Sequence, residues 1–206
     1  MSEPDTDVLS DFFAAAGKFV PRARKLLSSA MISAAMLQSP GLAPQASAAM
    51  QRRLTERLRD IESLLSDLSV LSSLKSDPAD RVSFTEIVRS AVRGADALPL
   101  HIADIKAEIP EDEIFVRSPR TALSASVMSL IRNAAEAHAT EIRLSLSSSD
   151  GMASVVVADN GDGMSDAVSR RCTEPFFTTK DTGTGLGLAI VSGTAKLSRG
   201  TLRLES

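Results

Sequence analysis

Asp159-Asn-Gly-Asp-Gly-Met164 and Gly183-Thr-Gly-Leu-Gly-Leu188 are two glycine-rich stretches that each border an apolar run. The first follows Val155-Val-Val157, which is typical of a buried strand. The second precedes Ala189-Ile-Val191, which is typical of a helix, and glycines that open a helix expose unpaired N–H groups at the positive end of its dipole. The second stretch therefore predicts a phosphate site, whereas the first, taken alone, is also typical of a β-turn.

The sequence around these stretches predicts an α/β sandwich, with helices on one face of a mixed sheet. In chain order we expect a helix over Phe84–Val92, a strand over Glu113–Val116, a long helix over Arg120–His138, strands over Glu141–Ser147 and Met152–Ala158, and a last strand from Gly200. The strands on either side of Ser149-Asp-Gly151 are expected to form an antiparallel hairpin. The long helix should turn its apolar positions inward, namely Leu123, Val127, Leu130, Ile131 and Ala134.

Two polar groups at the ends of these elements are candidates for chemistry. Asn133, on the long helix, offers a carbonyl oxygen to a hard cation, although a buried Asn satisfied by backbone is the alternative interpretation. Asp159, at a strand end, can accept a hydrogen bond from an exocyclic amine, while Gly161 and Gly163 let the backbone approach a flat ring. The second glycine stretch matches neither the lysine-containing P-loop nor the dinucleotide fingerprint.

The N-terminal third has a different, helical period. The turn sequence Ser39-Pro-Gly-Leu-Ala-Pro44 separates two apolar seams, so we expect an antiparallel helical hairpin. The seams are Leu9, Phe13, Ala16, Val20, Ala23, Leu27, Ala30, Ala34 and Leu37, and then Leu54, Leu58, Ile61, Leu65 and Leu68. Two hairpins pairing into a four-helix bundle would bury them, which predicts a homodimer; the alternative is a monomeric hairpin packed on its own chain. Pro21 is expected to kink the first helix at the Gly17 carbonyl.

The sequence thus predicts an α+β protein with a helical hairpin over residues 1–76 and a second domain over residues 81–206, separated by Ser76-Asp-Pro-Ala-Asp80. The net charge of −3 and the absence of a basic, aromatic-rich run argue against nucleic-acid binding. One cysteine, Cys172, and two histidines give no zinc-ligand spacing. There is no signal peptide and no apolar run of about 18 residues, so we expect a cytoplasmic protein without a membrane span.

Taken together and in this order, the motifs resemble the ATP-binding domain shared by sensor histidine kinases, DNA gyrase B, Hsp90 and MutL. Asn133 matches the Asn box, Asp159 the adenine-binding aspartate, and Phe176 and Phe177 the Phe box of a lid that runs from Cys172 to Gly183. The resemblance implies a Bergerat-type fold and the cofactors ATP and Mg²⁺, with Mg²⁺ at Asn133. It implies that ATP is bound by Asn133, Asp159, Gly161, Gly163, Lys180, Gly183, Thr184, Gly185, Leu186 and Gly187; for Lys180, a solvated surface charge is the alternative.

Within that family the sequence is similar to two-component sensor kinases. Ser129 stands where hydrolysing members have a Glu that activates water, so simple ATP hydrolysis is not expected. Leu27–Met36 and Arg57–Asp67 are closest to the flagellar-regulator type of sensor kinase, and the hairpin resembles its dimerisation and phosphotransfer domain. The resemblance implies a response regulator or another signalling protein as partner.

The hairpin departs from the family at the residue that accepts phosphate. Pro21 stands where the acceptor histidine is expected, and no histidine occurs before His101. We therefore expect an ATP-binding, histidine-kinase-like protein whose autophosphorylation on the first helix cannot occur as written. Two alternatives are a pseudokinase or scaffold that binds a response regulator, and a kinase that acts on Ser, Thr or a partner in trans, with Ser28 and Ser29 as weak acceptors.

Overall fold

The computed structural model describes residues 19–39, 41–76, 79–95, 104–180 and 183–206. Its helices are α1 (Phe19–Leu37), α2 (Pro44–Ser76), α3 (Phe84–Ala95), α4 (Arg120–Glu136), α5 (Asp166–Ser169) and α6 (Gly187–Leu197). Its strands are β1 (Asp80–Ser83), β2 (Ile105–Glu108), β3 (Phe115–Ser118), β4 (Ile142–Ser149) and β5 (Met152–Asp159).

The chain divides into two compact units. The first unit holds the described residues up to Ser69 together with Glu174–Leu186, and the second unit holds Val70–Thr173 with Gly187–Ser206. A segment that is remote in sequence therefore belongs to the same unit as the hairpin. The domain limits expected at residues 76 and 81 stay a prediction, and residues 77 and 78 lie outside the described residues.

Helices α1 and α2 form the expected hairpin in the first unit. Burial lowers the pKa of Arg22 and raises that of Asp60, and the opposite charge of each residue partly offsets the effect on the other. Arg22 and Asp60 lie at similar distances in sequence from the turn, so this electrostatic interaction agrees with antiparallel helices. The expected kink involves Gly17, and the seam begins with Leu9, Phe13 and Ala16; all of these lie outside the described residues.

The hairpin buries only part of the expected seams. On α1 the buried residues are Leu26, Ala30 and Ser33, whereas Val20 and Leu27 are 57% and 50% exposed. On α2 Leu58 and Leu65 are likewise exposed, and the buried residues include Leu64 and Asp67. Within one chain, therefore, the face turned inward is displaced from the heptad seam, and much of that seam faces outward.

The second unit carries two small sheets. Strands β1 and β3 pair antiparallel, while β2, β4 and β5 form a mixed sheet in which β2 runs parallel and β5 antiparallel to β4. The β4–β5 hairpin turns at Asp150 and Gly151, whose φ angles of 53° and 76° are those of a hairpin turn of mirror-image type. The expected hairpin is confirmed, and its register brings Asp159 opposite Ile142, the first residue of β4.

Helix α4 is central to this unit, since it packs against α3, α6, β4 and β5. Residues Ile142, Leu144 and Leu146 alternate on one face of β4 and are almost fully buried, as a half-buried strand requires. They join the inward side chains of α3 and α4, which are Phe84, Ile87, Val88, Ala91, Ala95, Leu123, Val127, Ile131 and Ala134. The expected inward face of α4 is confirmed except at Leu130, which is half-buried.

Two expected strands differ in the structure. The strand predicted over Glu113–Val116 begins later, at Phe115. The reason is that the backbone of Ile114 is bonded to the start of α3: its carbonyl accepts from the N–H of Phe84, and its N–H donates to Thr85 Oγ1. The residues after Gly200 form no strand among the described residues. Gly200 donates to Ala195 O and closes the end of α6, while Ser206 Oγ accepts from the N–H of Met164.

Candidate functional site

The side chain of Asn133 lies on the last turn of α4 and has no hydrogen-bond partner among the described residues. Its Nδ2 is buried without a hydrogen bond, and the described residues give its side-chain oxygen none either. An unsatisfied buried polar atom costs about 1–3 kcal/mol, so proteins rarely retain one without a use. The alternative of an Asn satisfied by backbone is therefore not what the structure shows. The orphaned atom is the amide nitrogen, a hydrogen-bond donor, and the cation ligand expected at the Asn133 oxygen stays a prediction.

The first glycine stretch is fastened to the end of the same helix. Asp162 donates its backbone N–H to Ala137 O over 2.9 Å. A Cβ added at Gly161 would lie 2.4 Å from that carbonyl oxygen and 2.9 Å from Asp159 Oδ1, so no other residue fits without a shift. Gly163 has a φ of 69°, a conformation that favours glycine.

Asp159 presents its carboxylate at the surface, at the end of β5. Its Oδ1 accepts the backbone N–H of Gly161 over 2.9 Å, and the described residues offer no partner to Oδ2. A carboxylate held by one oxygen keeps the other for a ligand that donates, such as an exocyclic amine. The structure thus brings Asn133, Asp159, Gly161 and Gly163 to one end of the second unit.

Two polar contacts at this end were not expected from the sequence. Asn160 Oδ1 accepts from the N–H groups of Thr140 and Glu141, at 2.9 and 3.0 Å, and its Nδ2 donates to Thr140 Oγ1. His138 Nδ1 lies 2.7 Å from Asp162 Oδ2. Both contacts tie the first glycine stretch to the turn between α4 and β4, and their only sequence signal was the turn-forming character of Asn and Asp.

Gly187 opens α6 beside α4. A Cβ at Gly187 would lie 3.4 Å from Ser129 Oγ and 3.7 Å from Nη2 of Arg132, so the N-terminus of α6 has a hydroxyl and a guanidinium nearby. Ser129 is buried. An exposed helix N-terminus with a cation beside it favours anions.

The other half of the second glycine stretch lies in the first unit and is folded against the Phe box. Phe176 donates its N–H to Gly185 O over 2.8 Å. Gly185 has a φ of 70°, and a Cβ there would lie 2.6 Å from the carbonyl carbon of Phe176. Phe176 itself has a φ of 65° and is buried. The glycine is therefore required both for its conformation and for its close approach.

Thr184 and Leu186 form a short chain of hydrogen bonds in the same segment. The N–H of Leu186 donates to Thr184 Oγ1 over 3.3 Å, and the Thr184 hydroxyl donates to Asp67 Oδ2 of α2 over 2.6 Å. Asp67 and Thr184 are 6% and 7% exposed. Asp67 was missed by sequence reasoning, since nothing in the sequence pairs residues 117 positions apart.

The remaining expected residues of this segment lie close together. Lys180 donates its backbone N–H to Thr178 Oγ1 over 3.1 Å, and a Cβ at Gly183 would lie 2.7 Å from that oxygen. The Lys180 side chain is half-buried.

At the start of the expected lid, burial raises the pKa of the Cys172 thiol, which keeps the thiol protonated.

Among the described residues, no helix combines the length and the apolar character that crossing a bilayer demands.

Residues 119–206 match the family model described as histidine kinase-, DNA gyrase B-, and HSP90-like ATPase. The chain is 33% identical over 190 residues to the sensor protein kinase FleS of Pseudomonas aeruginosa. The aligned region covers 89% of this chain and 46% of FleS. It is 29% identical over 104 residues to sporulation kinase A of Bacillus subtilis. That aligned region covers 50% of this chain and 17% of the kinase. The chain thus spans less than half the length of these relatives.

Among solved structures, the histidine kinase AdeS of Acinetobacter baumannii has the same fold, with a TM-score of 0.64 over 87% of this chain and 88% of AdeS at 18% identity. The catalytic domain of the histidine kinase ThkA matches 58% of this chain and 80% of its own length, with a TM-score of 0.50 and 25% identity. Residues 119–206 are therefore a histidine kinase-, DNA gyrase B-, and HSP90-like ATPase domain, and the relatives that the chain resembles are sensor histidine kinases.

Proposed function

We propose that this chain binds Mg-ATP and acts as a histidine-kinase-like protein of two-component signalling. The observation that carries the proposal is the buried Asn133 Nδ2, to which the described residues offer no partner, on a helix that ends at the Ala137 carbonyl bonded by the Asp159–Gly163 loop. Asp159 Oδ2 would accept the exocyclic amine of adenine, and the Asn133 oxygen would bind Mg²⁺, which typically takes few protein ligands and completes its shell with phosphate and water.

The phosphates are assigned to the second glycine stretch. Gly183, Gly185 and Gly187 allow close approach of backbone N–H groups, Thr184 and Leu186 supply a hydroxyl and an amide, and Lys180 adds a positive charge. The bound metal would neutralise phosphate charge during transfer. ATP is supplied by the cytoplasm, which is where we expect the protein to work.

Transfer of the phosphoryl group is tested with γ-labelled ATP and Mg²⁺. Retained label that is lost in acid indicates phosphohistidine or an acyl phosphate, whereas acid-stable label indicates Ser or Thr, with Ser28 and Ser29 as the first candidates. Bound nucleotide without retained label indicates a pseudokinase. Pro21 has no nucleophilic atom and α1 contains no histidine, so acid-labile label would have to lie on His101, on His138 or on a carboxylate.

The pseudokinase or scaffold is the second candidate, and Pro21 favours it. In this case the hairpin binds a response regulator without phosphorylating it, and nucleotide binding serves another purpose than transfer. Adding the purified response regulator of a related kinase to the labelled reaction distinguishes the candidates, because a scaffold binds it and leaves it unlabelled.

We also propose that two hairpins pair into a four-helix bundle. Val20, Leu27 and Met31 form one exposed apolar stripe on α1, and Leu58 and Leu65 are exposed on α2. A second copy of the chain, with the same stripe, would bury these side chains. Light scattering should give a dimer mass that Leu27→Glu lowers to a monomer. Lys25→Glu, two residues away and so on the opposite side of the helix, should keep the dimer.

A further inference from the structure

We propose that Asp67 of the helical hairpin competes with the phosphates of the nucleotide for hydrogen-bond donors of the second glycine stretch. The inference rests on the proposed function, since it needs a nucleotide that binds to this stretch. It adds a residue that lies outside the family match at residues 119–206.

In the described conformation two donors of the glycine stretch are engaged in a chain of hydrogen bonds that ends at Asp67. The Leu186 amide donates to Thr184 Oγ1, and the Thr184 hydroxyl donates in turn to the Asp67 carboxylate. A donor that is bonded to one acceptor is not free for another of the same strength. Phosphate binding through this amide and this hydroxyl therefore requires that the bond to Asp67 breaks or rearranges.

Burial and charge give this contact its strength. Asp67 and Thr184 are both more than nine-tenths buried, and a hydrogen bond to an ionised acceptor is shorter and stronger than a neutral one, in agreement with the 2.6 Å distance. A triphosphate that arrives at the same residues brings negative charge towards this carboxylate, and like charges repel most in a poorly hydrated site. Asp67 and the nucleotide are therefore alternative anions for one set of donors.

The coupling acts in both directions. If the Asp67 contact weakens nucleotide binding, bound nucleotide weakens the contact by the same factor. The segment Glu174–Leu186 is grouped with the hairpin in the first unit, and Phe176 is held to Gly185 by a backbone hydrogen bond. Nucleotide binding should therefore release this whole segment from α2, and a signal that moves α2 should change nucleotide affinity.

Asp67→Asn is the test, because it removes the charge and keeps the size of the side chain. We expect the full chain to bind a non-hydrolysable Mg-ATP analogue about fivefold tighter or more, with no change for adenosine, which has no phosphate. Amide hydrogen exchange at residues 176–186 should be faster than in the wild type when no nucleotide is present. Asp60→Asn, two turns earlier on α2 and paired with Arg57, should leave both measurements at wild-type values.

The inference is overturned if Asp67→Asn leaves the affinity for the analogue unchanged or lowers it, or if adenosine gains as much as the analogue. Should Asp67→Asn fold poorly, Thr184→Val breaks the same bond from the other end: it must speed exchange at residues 176–186, and Thr184→Ser must restore protection. A wild-type chain that binds no nucleotide contradicts the proposed function instead. Amide exchange then tests the Asp67–Thr184 contact without nucleotide. Protection that stays unchanged in both Asp67→Asn and Thr184→Val contradicts the contact.

Discussion

Gly161 donates its backbone N–H to Oδ1 of Asp159 over 2.9 Å, and this bond fixes the carboxylate at the end of β5. The same glycine is pressed against the carbonyl of Ala137, at the end of the helix that carries Asn133. One residue without a side chain therefore joins the two candidate ligand groups of the second unit. The predictions below follow from this and the related contacts.

Asp159→Asn should weaken recognition of adenine and leave the fold intact. The Asn side chain keeps an oxygen that can accept the Gly161 N–H, but it turns a second acceptor into a donor, which opposes the donor of the adenine amine. A hydrogen bond to a charged group contributes about 1.5–3 kcal/mol, so we expect binding of Mg-ADP to weaken about 10- to 100-fold. Fluorescence or calorimetric titration measures this.

The matched control for that variant is Asp162→Asn. Asp162 lies in the same loop and pairs with His138 at the surface, so its neutralisation should change nucleotide affinity little. Equal losses in both variants would show that loop charge, and not an adenine contact, determines the affinity.

Asn133→Ala should separate stability from function. It removes a buried amide nitrogen that has no partner and replaces Asn by a better helix former, so the free energy of unfolding should rise by about 1 kcal/mol. Nucleotide binding should at the same time lose its dependence on Mg²⁺. Urea unfolding and titrations with and without Mg²⁺ check both; a destabilised variant with an intact Mg²⁺ effect would contradict the assignment.

Gly185→Ala should loosen the Phe box. The new Cβ would overlap the backbone of Phe176 at 2.6 Å, in addition to a cost of about 1–2 kcal/mol for its positive φ. Gly151→Ala is the control, because its φ is also positive but its Cβ meets open space. Only Gly185→Ala should speed amide exchange at residues 176–186; similar exchange in the two variants would rule out the close contact.

Glu141 should make the stability of the second unit depend on acid pH. Hydrogen bonds from Lys106 and then Arg143 hold the pKa of this carboxyl below its usual value. The folded state therefore releases the proton more readily than the unfolded chain, so the contribution is present above about pH 4.3 and is lost as the pH falls through the lowered pKa.

Urea midpoints of the wild type and Glu141→Gln should therefore differ at pH 7 and converge near pH 3. Lys106→Met removes the principal cause of the lowered pKa and should remove most of the difference. A wild-type advantage that persists at pH 3 would mean that packing, not charge, accounts for Glu141.

Several elements of the second unit follow from local sequence, whereas strands β1 and β2 were not predicted. The alternation of Ile142, Leu144 and Leu146 and the turn at Asp150 and Gly151 each have one physical interpretation, and the structure agrees with both. The segment at Glu113 and Ile114 was mistaken for a strand because its apolar pattern does not show that Ile114 bonds to Thr85 at the start of α3. Such competition for backbone groups is set by tertiary contacts.

Candidate site residues could be predicted where the conformation of a glycine or the polar amide of an Asn is unusual in its sequence context, as at Asn133, Gly161 and Gly185. Asp67 and Asn160 were not predictable, since an acidic residue on a helix and an Asn in a turn are usually solvated. The role of Asp67 arises from its burial beside Thr184, and that of Asn160 from the backbone N–H groups of Thr140 and Glu141. Long-range pairing decides both, and a single sequence carries no record of it.

Binding of adenine nucleotide at Asp159 is measured by calorimetric titration of the full chain with Mg-ADP, beside Asp159→Asn at equal concentration. We expect one nucleotide bound per wild-type chain, with heat that depends on Mg²⁺ and an affinity that falls about 10- to 100-fold in the variant. A folded wild-type chain that gives no heat with any adenine nucleotide, or a variant that binds as tightly as the wild type, would contradict binding at this site.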